Sequence, residues 1–450
     1  MGNNAFTSAI LIIVGITGNL SRRKLLPAIG EMAKAGVLPA QLRIVGITRQ
    51  QTADIESLLT GIAHAEYIRA RTTLFPMSLT ETADFARLDS YLRDIEREQG
   101  GTAQRLWYLS VPPKTARPII EQLGGSGLAD IPNTKLLLEK PFGVDEESAK
   151  ELVKHIERSF SSEQVYRIDH YLAKETVQNI LFFRRDNPLF EHTWNSEAIE
   201  RIDILASETI GIEGRVAFYE QTGALRDLVQ SHLLQLAALT LMTLPEKDAW
   251  HEVPQARQAA LRALEVVPDR IYRGQYEGYR DEVGNPDSMV ETFASITLSS
   301  TDPRWSDVPI TLTTGKALGE KKTEIVITYR RTDISQSNRL TLRIQPNEGI
   351  ELCFFAKRPG YDRTIERVPL AFAYADHFGA LPDAYEHVLL DALRGDHTLF
   401  ASSGEVLESW RIVDAVRKEW DAHPEAFLHY EQGSSPEQIL KKTAANGECP

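Results

Sequence analysis

Between Tyr166 and Glu175 the chain reads Tyr-Arg-Ile-Asp-His-Tyr-Leu-Ala-Lys-Glu, which places an imidazole, a phenol, an ammonium and carboxylates close together. If Asp169 opens a helix, His170 and Lys174 stand one turn apart on one face, with Tyr171 beside them near the positive helix end. Such a set suits a sugar phosphate dianion. It equally suits an N-capped surface helix with incidental polar residues. A second run, Ala224 to Leu241, carries the apolar stripe Leu225, Leu228, Leu236 and Leu239, with His232 inside it and Asp227 and Ser231 along the neighbouring face. His232 is then either a satisfied core histidine or, on a cleft wall, a general base. A carboxylate beside such a base fixes its tautomer and stabilises the imidazolium, and Asp169 is a candidate for that role. Oxidising an alcohol at one carbon needs this base together with a hydride acceptor, which a nicotinamide supplies. No metal-ligand spacing is present, and this chemistry calls for no metal.

The acceptor's place is suggested near the start of the chain. Gly15-Ile16-Thr17-Gly18-Asn19-Leu20 follows an apolar strand and precedes a helix. Glycines there let a backbone approach a pyrophosphate, and the helix N-terminus offers free N–H groups. The spacing is G-x-x-G, not the dinucleotide G-x-G-x-x-G, so a plain strand–helix turn is the alternative. The second strand ends Gly46-Ile47-Thr48-Arg49-Gln50 without the acidic residue that bonds a ribose 2′-hydroxyl. Arg49 is either a ligand for a 2′-phosphate, favouring NADP over NAD, or a solvated strand-end charge.

These residues need a frame. Apolar strands are predicted at Ala9–Val14, Arg43–Ile47, Arg105–Ser110 and Thr134–Leu138, with helices such as Lys24–Ala35 and Ala83–Glu98 between them. This alternation predicts an α/β N-terminal domain of Rossmann type, a parallel sheet with helices on both faces. Later strands at Arg201–Ala206, Met289–Leu298, Ile310–Thr314, Glu324–Tyr329, Arg339–Ile344 and Gly349–Phe355 cluster without long helices between them, and helices return at Asp383–Ala392 and Ser403–Glu419. They predict a larger α+β C-terminal domain with a mostly antiparallel sheet. The expected division is 1–170 for the dinucleotide-binding domain and 171–450 for the substrate-binding and dimerisation domain. The polar stretch Gly433–Pro450 is expected to fray.

With 450 residues, 42% hydrophobic and 25% charged, the chain has the balance of a globular protein of two or three domains. A net charge of −13 argues against a nucleic acid partner, so cationic groups that bind phosphate must be concentrated locally. The two cysteines, Cys353 and Cys449, predict no stabilising disulfide and fit a reducing compartment. The apolar run Ala9–Ile16 is too short to span a membrane. Neither membrane nor nucleic acid is expected as a partner, and a cytoplasmic location is.

Taken together the segments resemble the glucose-6-phosphate dehydrogenase family, over about residues 10 to 417. The glycine turn continues Ser21-Arg22-Arg23-Lys24-Leu25-Leu26-Pro27. Tyr108-Leu109-Ser110-Val111-Pro112-Pro113 resembles Y-L-x-x-P-P, and Glu139-Lys140-Pro141-Phe142-Gly143 resembles E-K-P-F-G. Arg167–Glu175 matches R-I-D-H-Y-L-G-K-E at every position but one, and Arg226–His232 resembles the helix carrying the family's catalytic histidine. Gly315-Lys316-Ala317-Leu318, Gln345-Pro346-Asn347-Glu348, Leu381–Glu386 and Ser409–Ile412 extend the likeness. The resemblance implies oxidation of D-glucose 6-phosphate at C1 to 6-phosphogluconolactone with NADP as acceptor (NAD the weaker alternative), the first step of the oxidative pentose phosphate pathway. It implies His232 as base and Asp169 as its orienting carboxylate. His170, Tyr171 and Lys174 would hold the 6-phosphate, Glu208 and Asp227 the sugar hydroxyls, and Lys316 and Lys321 would reach the substrate from the second domain. Lys24 and Lys140 would lie where sugar meets cofactor. Gly15, Ile16, Thr17, Gly18, Asn19, Leu20, Ser21 and Arg22 would cradle the cofactor, Arg49 would take its 2′-phosphate, and Tyr108 would lie beside it. A homodimer or homotetramer is implied through the antiparallel sheet.

The sequence departs from the family at Asn19 and Ser21, where the turn usually has Asp and Ala, and at Ala173, usually glycine. Thr313 stands where arginine often precedes Gly-Lys-Ala-Leu, which argues against a second, structural NADP. Two other readings stay open: a sugar dehydrogenase of the broader group sharing the E-K-P motif, and a catalytically impaired relative acting as a cofactor-binding regulatory protein.

Overall fold

The computed structural model describes residues 8–331 and 337–445. Its first six strands are β1 (Ser8–Val14), β2 (Gln41–Thr48), β3 (Thr72–Pro76), β4 (Gln104–Leu109), β5 (Thr134–Glu139) and β6 (Val165–Ile168). After Ser8, β1 has no polar side chain, as a strand covered on both faces requires. Ile10, Ile12 and Val14 enter one hydrophobic cluster, while Ala9, Leu11 and Ile13 enter another. Helix Thr82–Glu98 closes the first face through Phe85, Leu88, Leu92 and Ile95, and helix Leu26–Ala35 closes the second through Leu26, Ile29 and Met32.

The remaining strands are β7 (Ile199–Ser207), β8 (Leu264–Tyr276), β9 (Phe293–Ser300), β10 (Ile310–Gly315), β11 (Lys322–Tyr329), β12 (Arg339–Gln345), β13 (Gly349–Lys357), β14 (Ile365–Ala373), β15 (Phe400–Ala401) and β16 (Phe427–Tyr430). The first sheet has the order β15-β6-β5-β4-β1-β2-β3, parallel throughout except that β15 runs antiparallel to β6. The second has nine strands in the order β14-β13-β12-β11-β7-β10-β9-β8-β16 and is mostly antiparallel. Its parallel contacts are β7 with β10 and β8 with β16. The α/β plus α+β architecture expected from the sequence is therefore present.

In the first sheet β1 lies between β2 and β4, so the chain reverses its direction of travel across the sheet there. A crevice opens at such a point beyond the carboxyl ends of the strands, where ligands bind in folds of this kind. A late segment returns to this sheet: helix Ala384–Arg394 packs Tyr385, Val388, Leu389 and Ala392 into the cluster that contains Leu11 and Ile13.

Three expectations are corrected. The strand predicted at Met289–Leu298 begins only at Phe293, because the Ser288 and Val290 carbonyls accept from the Gln275 side-chain amide instead of joining a ladder. The tail predicted to fray from Gly433 forms a helix over Pro436–Ala445; Ser435 and Gln438 exchange side-chain to backbone hydrogen bonds at its start, and Ile439 is buried. The helix predicted to open at Asp169 begins at Glu175, and Asp169–Lys174 is a series of turns. Tyr171, Leu172 and Ala173 are all buried, and no surface helix can bury three consecutive residues on one face. Cys353 is a free, buried thiol; Cys449 lies outside the described residues. Among the described residues no helix is long and apolar enough to cross a membrane.

Candidate active site

The turns after β6 deliver Asp169 to His232. His232 Nδ1 lies 2.6 Å from Asp169 Oδ1, and both side chains are almost fully buried, with residue exposures of 2% and 4%. The same Oδ1 accepts the Tyr171 N–H at 2.9 Å, which holds the carboxylate in place. On the other side of the ring, Lys140 Nζ lies 2.8 Å from His232 Nε2. An ammonium has no lone pair, so it can only donate to Nε2. The proton of the neutral ring is thereby fixed on Nδ1, facing Asp169, and Nε2 keeps its lone pair. Burial, followed by the Lys140 charge, pushes the His232 pKa well below its ordinary value. The imidazole is a base fixed in tautomer and direction.

His232 falls in a π-helical stretch, Leu225–Leu233, that continues into an α-helix at Leu234. The wider turn leaves backbone and side-chain oxygens along the rim: Lys140 Nζ donates to Asp227 O at 3.0 Å and to Ser231 Oγ at 3.3 Å. Around the base, Tyr171 stacks on the His232 ring at 4.2 Å and His170 meets it edge-on at 4.5 Å. Burial, then His232, lowers the His170 pKa to about 3, and burial raises that of Tyr171 to about 12. Both are neutral hydrogen-bonding groups at ordinary pH.

Next to them opens a cavity of about 610 Å³ lined by Lys24, His170, Lys174, Asp383 and Tyr385 among others. Lys174 donates to Gln345 Oε1 at 2.7 Å, and burial lowers its pKa. Lys24 pairs with Asp383 at 2.9 Å. Lys316 is hydrogen bonded to Glu208, and Lys321 is exposed immediately before β11. The structure thus gathers Asp169, His170, Tyr171, Lys174, Lys140, Asp227 and His232 directly, with Lys24 on the wall of the adjoining cavity.

The glycine turn after β1 has the bare backbone that a dinucleotide phosphate would need. Gly15 has φ +87°, and a Cβ on it would lie 2.6 Å from the Ser110 carbonyl oxygen at the end of β4. A Cβ on Gly18 would lie 3.0 Å from Gly15 O. Ser21 is buried, and its hydroxyl donates to Gly15 O at 3.1 Å, which ties the turn to the helix it opens. The turn is a bare backbone cradle at the sheet's crevice, with first-turn N–H groups beside it. Ile16 is buried, so it offers only backbone. Thr17, Asn19 and Leu20 remain at least partly open, while Arg22 and Arg49 are exposed. Tyr108, expected beside the dinucleotide, has no exposed surface; it packs in the core and its hydroxyl donates to Glu139. A residue missed on sequence is Gln345. Besides accepting from Lys174, its amide reaches Thr323 Oγ1 at 3.2 Å and the Tyr171 hydroxyl at 3.4 Å. The Gln-Pro-Asn-Glu block was visible, but nothing in it pointed to contact with residues so far upstream.

A dinucleotide-type sheet whose crevice adjoins a fixed imidazole base is the equipment of a nicotinamide-dependent dehydrogenase. The family model described as the glucose-6-phosphate dehydrogenase NAD binding domain matches residues 12–179, and that of the C-terminal domain matches residues 181–448. The chain belongs to the glucose-6-phosphate dehydrogenase family. It is 35% identical to glucose-6-phosphate 1-dehydrogenase of Chlamydia muridarum, across 94% of this chain and 93% of that one. It is 37% identical to glucose-6-phosphate 1-dehydrogenase 2 of Mycobacterium bovis, across 97% and 93%. A solved glucose-6-phosphate dehydrogenase in complex with its substrate superposes with a TM-score of 0.91 at 29% identity, covering 99% of each chain.

Proposed function

We propose that this chain oxidises the C1 hydroxyl of D-glucose 6-phosphate to 6-phosphogluconolactone, with NADP preferred over NAD. The observation carrying this reading is the hydrogen-bonded series Asp169–His232–Lys140 beside the cavity that Lys24 and Lys174 line. His232 Nε2 takes the hydroxyl proton as the C–O bond becomes a carbonyl, and Asp169 stabilises the resulting imidazolium. When bound, the nicotinamide supplies the hydride acceptor. Lys174, His170 and Tyr171 hold the 6-phosphate, while Asp227, Glu208 and Lys316 orient the sugar hydroxyls. Lys140 moves off Nε2 as the hydroxyl arrives and stays close to the reacting carbon, and Lys24 and Lys321 add positive charge at the rim. Gly15–Arg22 cradle the cofactor phosphates and Arg49 takes the 2′-phosphate. Residues 1–170 and 171–450 serve as the dinucleotide and substrate units. A homodimer or homotetramer through the second sheet is favoured by its edge strand β14, which exposes Ile365 and Leu370. A cytoplasmic location suits both substrates.

Two substitutions separate the two binding functions. Lys174→Ala is expected to raise KM for glucose 6-phosphate at least about tenfold, the loss of one charge-assisted contact, with little change in KM for NADP. Equal changes in both would argue against a phosphate socket. Arg49→Ala is expected to weaken NADP and spare NAD in steady-state kinetics with each cofactor. An unchanged preference would put the 2′-phosphate elsewhere.

A further inference from the structure

A second cavity, of about 700 Å³, shares no lining residue with the cleft and plays no part in the reaction described. Its wall includes Arg167 of β6, whose residue exposure is only 4%. The Arg167 guanidinium makes no hydrogen bond or ion pair among the described residues. Two carboxylates act on it without bonding it: Glu157, which is exposed, and Glu405, which is already committed to Arg257 at 2.7 Å. A buried cation with no partner is costly unless something fills the space in front of it.

The same cavity receives the start of the twenty-residue helix Ser403–Ala422. The Ser402 hydroxyl accepts the Glu405 N–H at 3.2 Å and Glu405 Oε2 accepts the Ser402 N–H at 2.8 Å. Those two bonds leave the N–H groups of Ser403 and Gly404 unclaimed at the positive end of the helix dipole, where an anion is favoured. Arg394 adds an exposed positive charge. The acidic lining residues are Glu163, Asp248 and Asp396; Asp396 Oδ1 is taken by the Thr398 N–H at 2.8 Å. Trp250 and His397 provide flat surfaces, and the His397 ring is braced by stacking on Tyr166 at 4.1 Å. The volume suits a nucleotide-sized molecule.

We propose that this cavity is a second binding site, separate from the catalytic cleft, for an organic phosphate carrying an aromatic ring. Its phosphoryl group lies between Arg167 and the Ser403 and Gly404 amides, and its ring lies against Trp250 or His397.

The test is calorimetric titration of the full chain with ADP and, separately, with inorganic pyrophosphate, in the presence of saturating glucose 6-phosphate and NADPH, which fill the cleft without reacting. One ADP per chain is expected, bound more tightly than pyrophosphate. Arg167→Leu and Ser403→Glu should each weaken ADP about tenfold or more, the loss of a charge-assisted contact. Ser403→Glu suits the first turn of a helix, so its melting temperature and turnover should be those of the parent; it keeps the test decisive if Arg167→Leu fails to fold. Absence of ADP binding, or ADP binding undiminished in Ser403→Glu, would overturn the site. Pyrophosphate binding as tightly as ADP would overturn the organic ligand.

Discussion

His232→Asn is expected to lower kcat by about 10²–10⁴, the range that a positioned general base contributes. Asparagine overlays the Nδ1 side of the ring and can still meet Asp169, while Lys140 loses Nε2 but keeps Asp227 O and Ser231 Oγ. KM for glucose 6-phosphate should therefore move little, since phosphate binding is assigned to Lys174, His170 and Tyr171. Turnover near that of the parent would remove His232 from the mechanism. The pH profile provides an independent check. The neutral ring is the active form, so activity is held above the His232 pKa and lost as pH falls through it. Because burial and the Lys140 charge press that pKa down, the acid limb of kcat/KM should lie below the 6.5 of an ordinary histidine.

The second large effect is expected of Asp169→Asn. Asparagine offers an N–H to Nδ1 when its carboxamide turns so that the carbonyl oxygen keeps the Tyr171 N–H. Donation to Nδ1 would move the ring proton to Nε2, where it faces both Lys140 and the substrate hydroxyl. In catalytic histidines backed by a buried carboxylate, this change of tautomer costs about 10⁴ in kcat while leaving the geometry intact. The same scale is expected here in steady-state kinetics, with melting temperature near that of the parent because the side chains are isosteric. A loss in kcat of less than about tenfold would mean that Asp169 does not set the tautomer. Oδ1 carries the bonds to Nδ1 and to the Tyr171 N–H, whereas buried Oδ2 has no partner, so the effect should be traceable to one oxygen.

Much of this arrangement was legible in the chain. Strands covered on both faces advertise themselves as unbroken apolar runs, and β1, β2, β4 and β5 were placed within a few residues. The glycine turn was visible, but its spacing left a phosphate cradle and a plain strand–helix turn both open; the close approach of the Ser110 carbonyl to Gly15 belongs to the fold. What sequence spacing could not settle was anything fixed by the return of distant segments. Asp169 and His232 were only a candidate pair until the fold brought them together. The helix read into Asp169–Lys174 failed because the polar spacing was helical while the burial of Tyr171 to Ala173 came from tertiary packing. Tyr108 carries the right chemistry for a ligand contact but faces the core, and a strand's inward and outward faces look alike when both are buried. Gln345 was overlooked for the opposite reason: an amide is unremarkable in a sequence until two cationic or phenolic partners converge on it.

The lysine across the ring from Asp169 gives the resting enzyme a latch. On the proposed mechanism the lone pair needed for proton abstraction is occupied by Lys140 until the sugar arrives, so solvent meets no free base. On that mechanism an alcohol delivered in the right place, its far end already anchored, displaces the ammonium. Selectivity is in this way enforced by competition inside the cleft as well as by fit to its walls: an unanchored hexose would have to evict the same cation without the grip that makes eviction favourable.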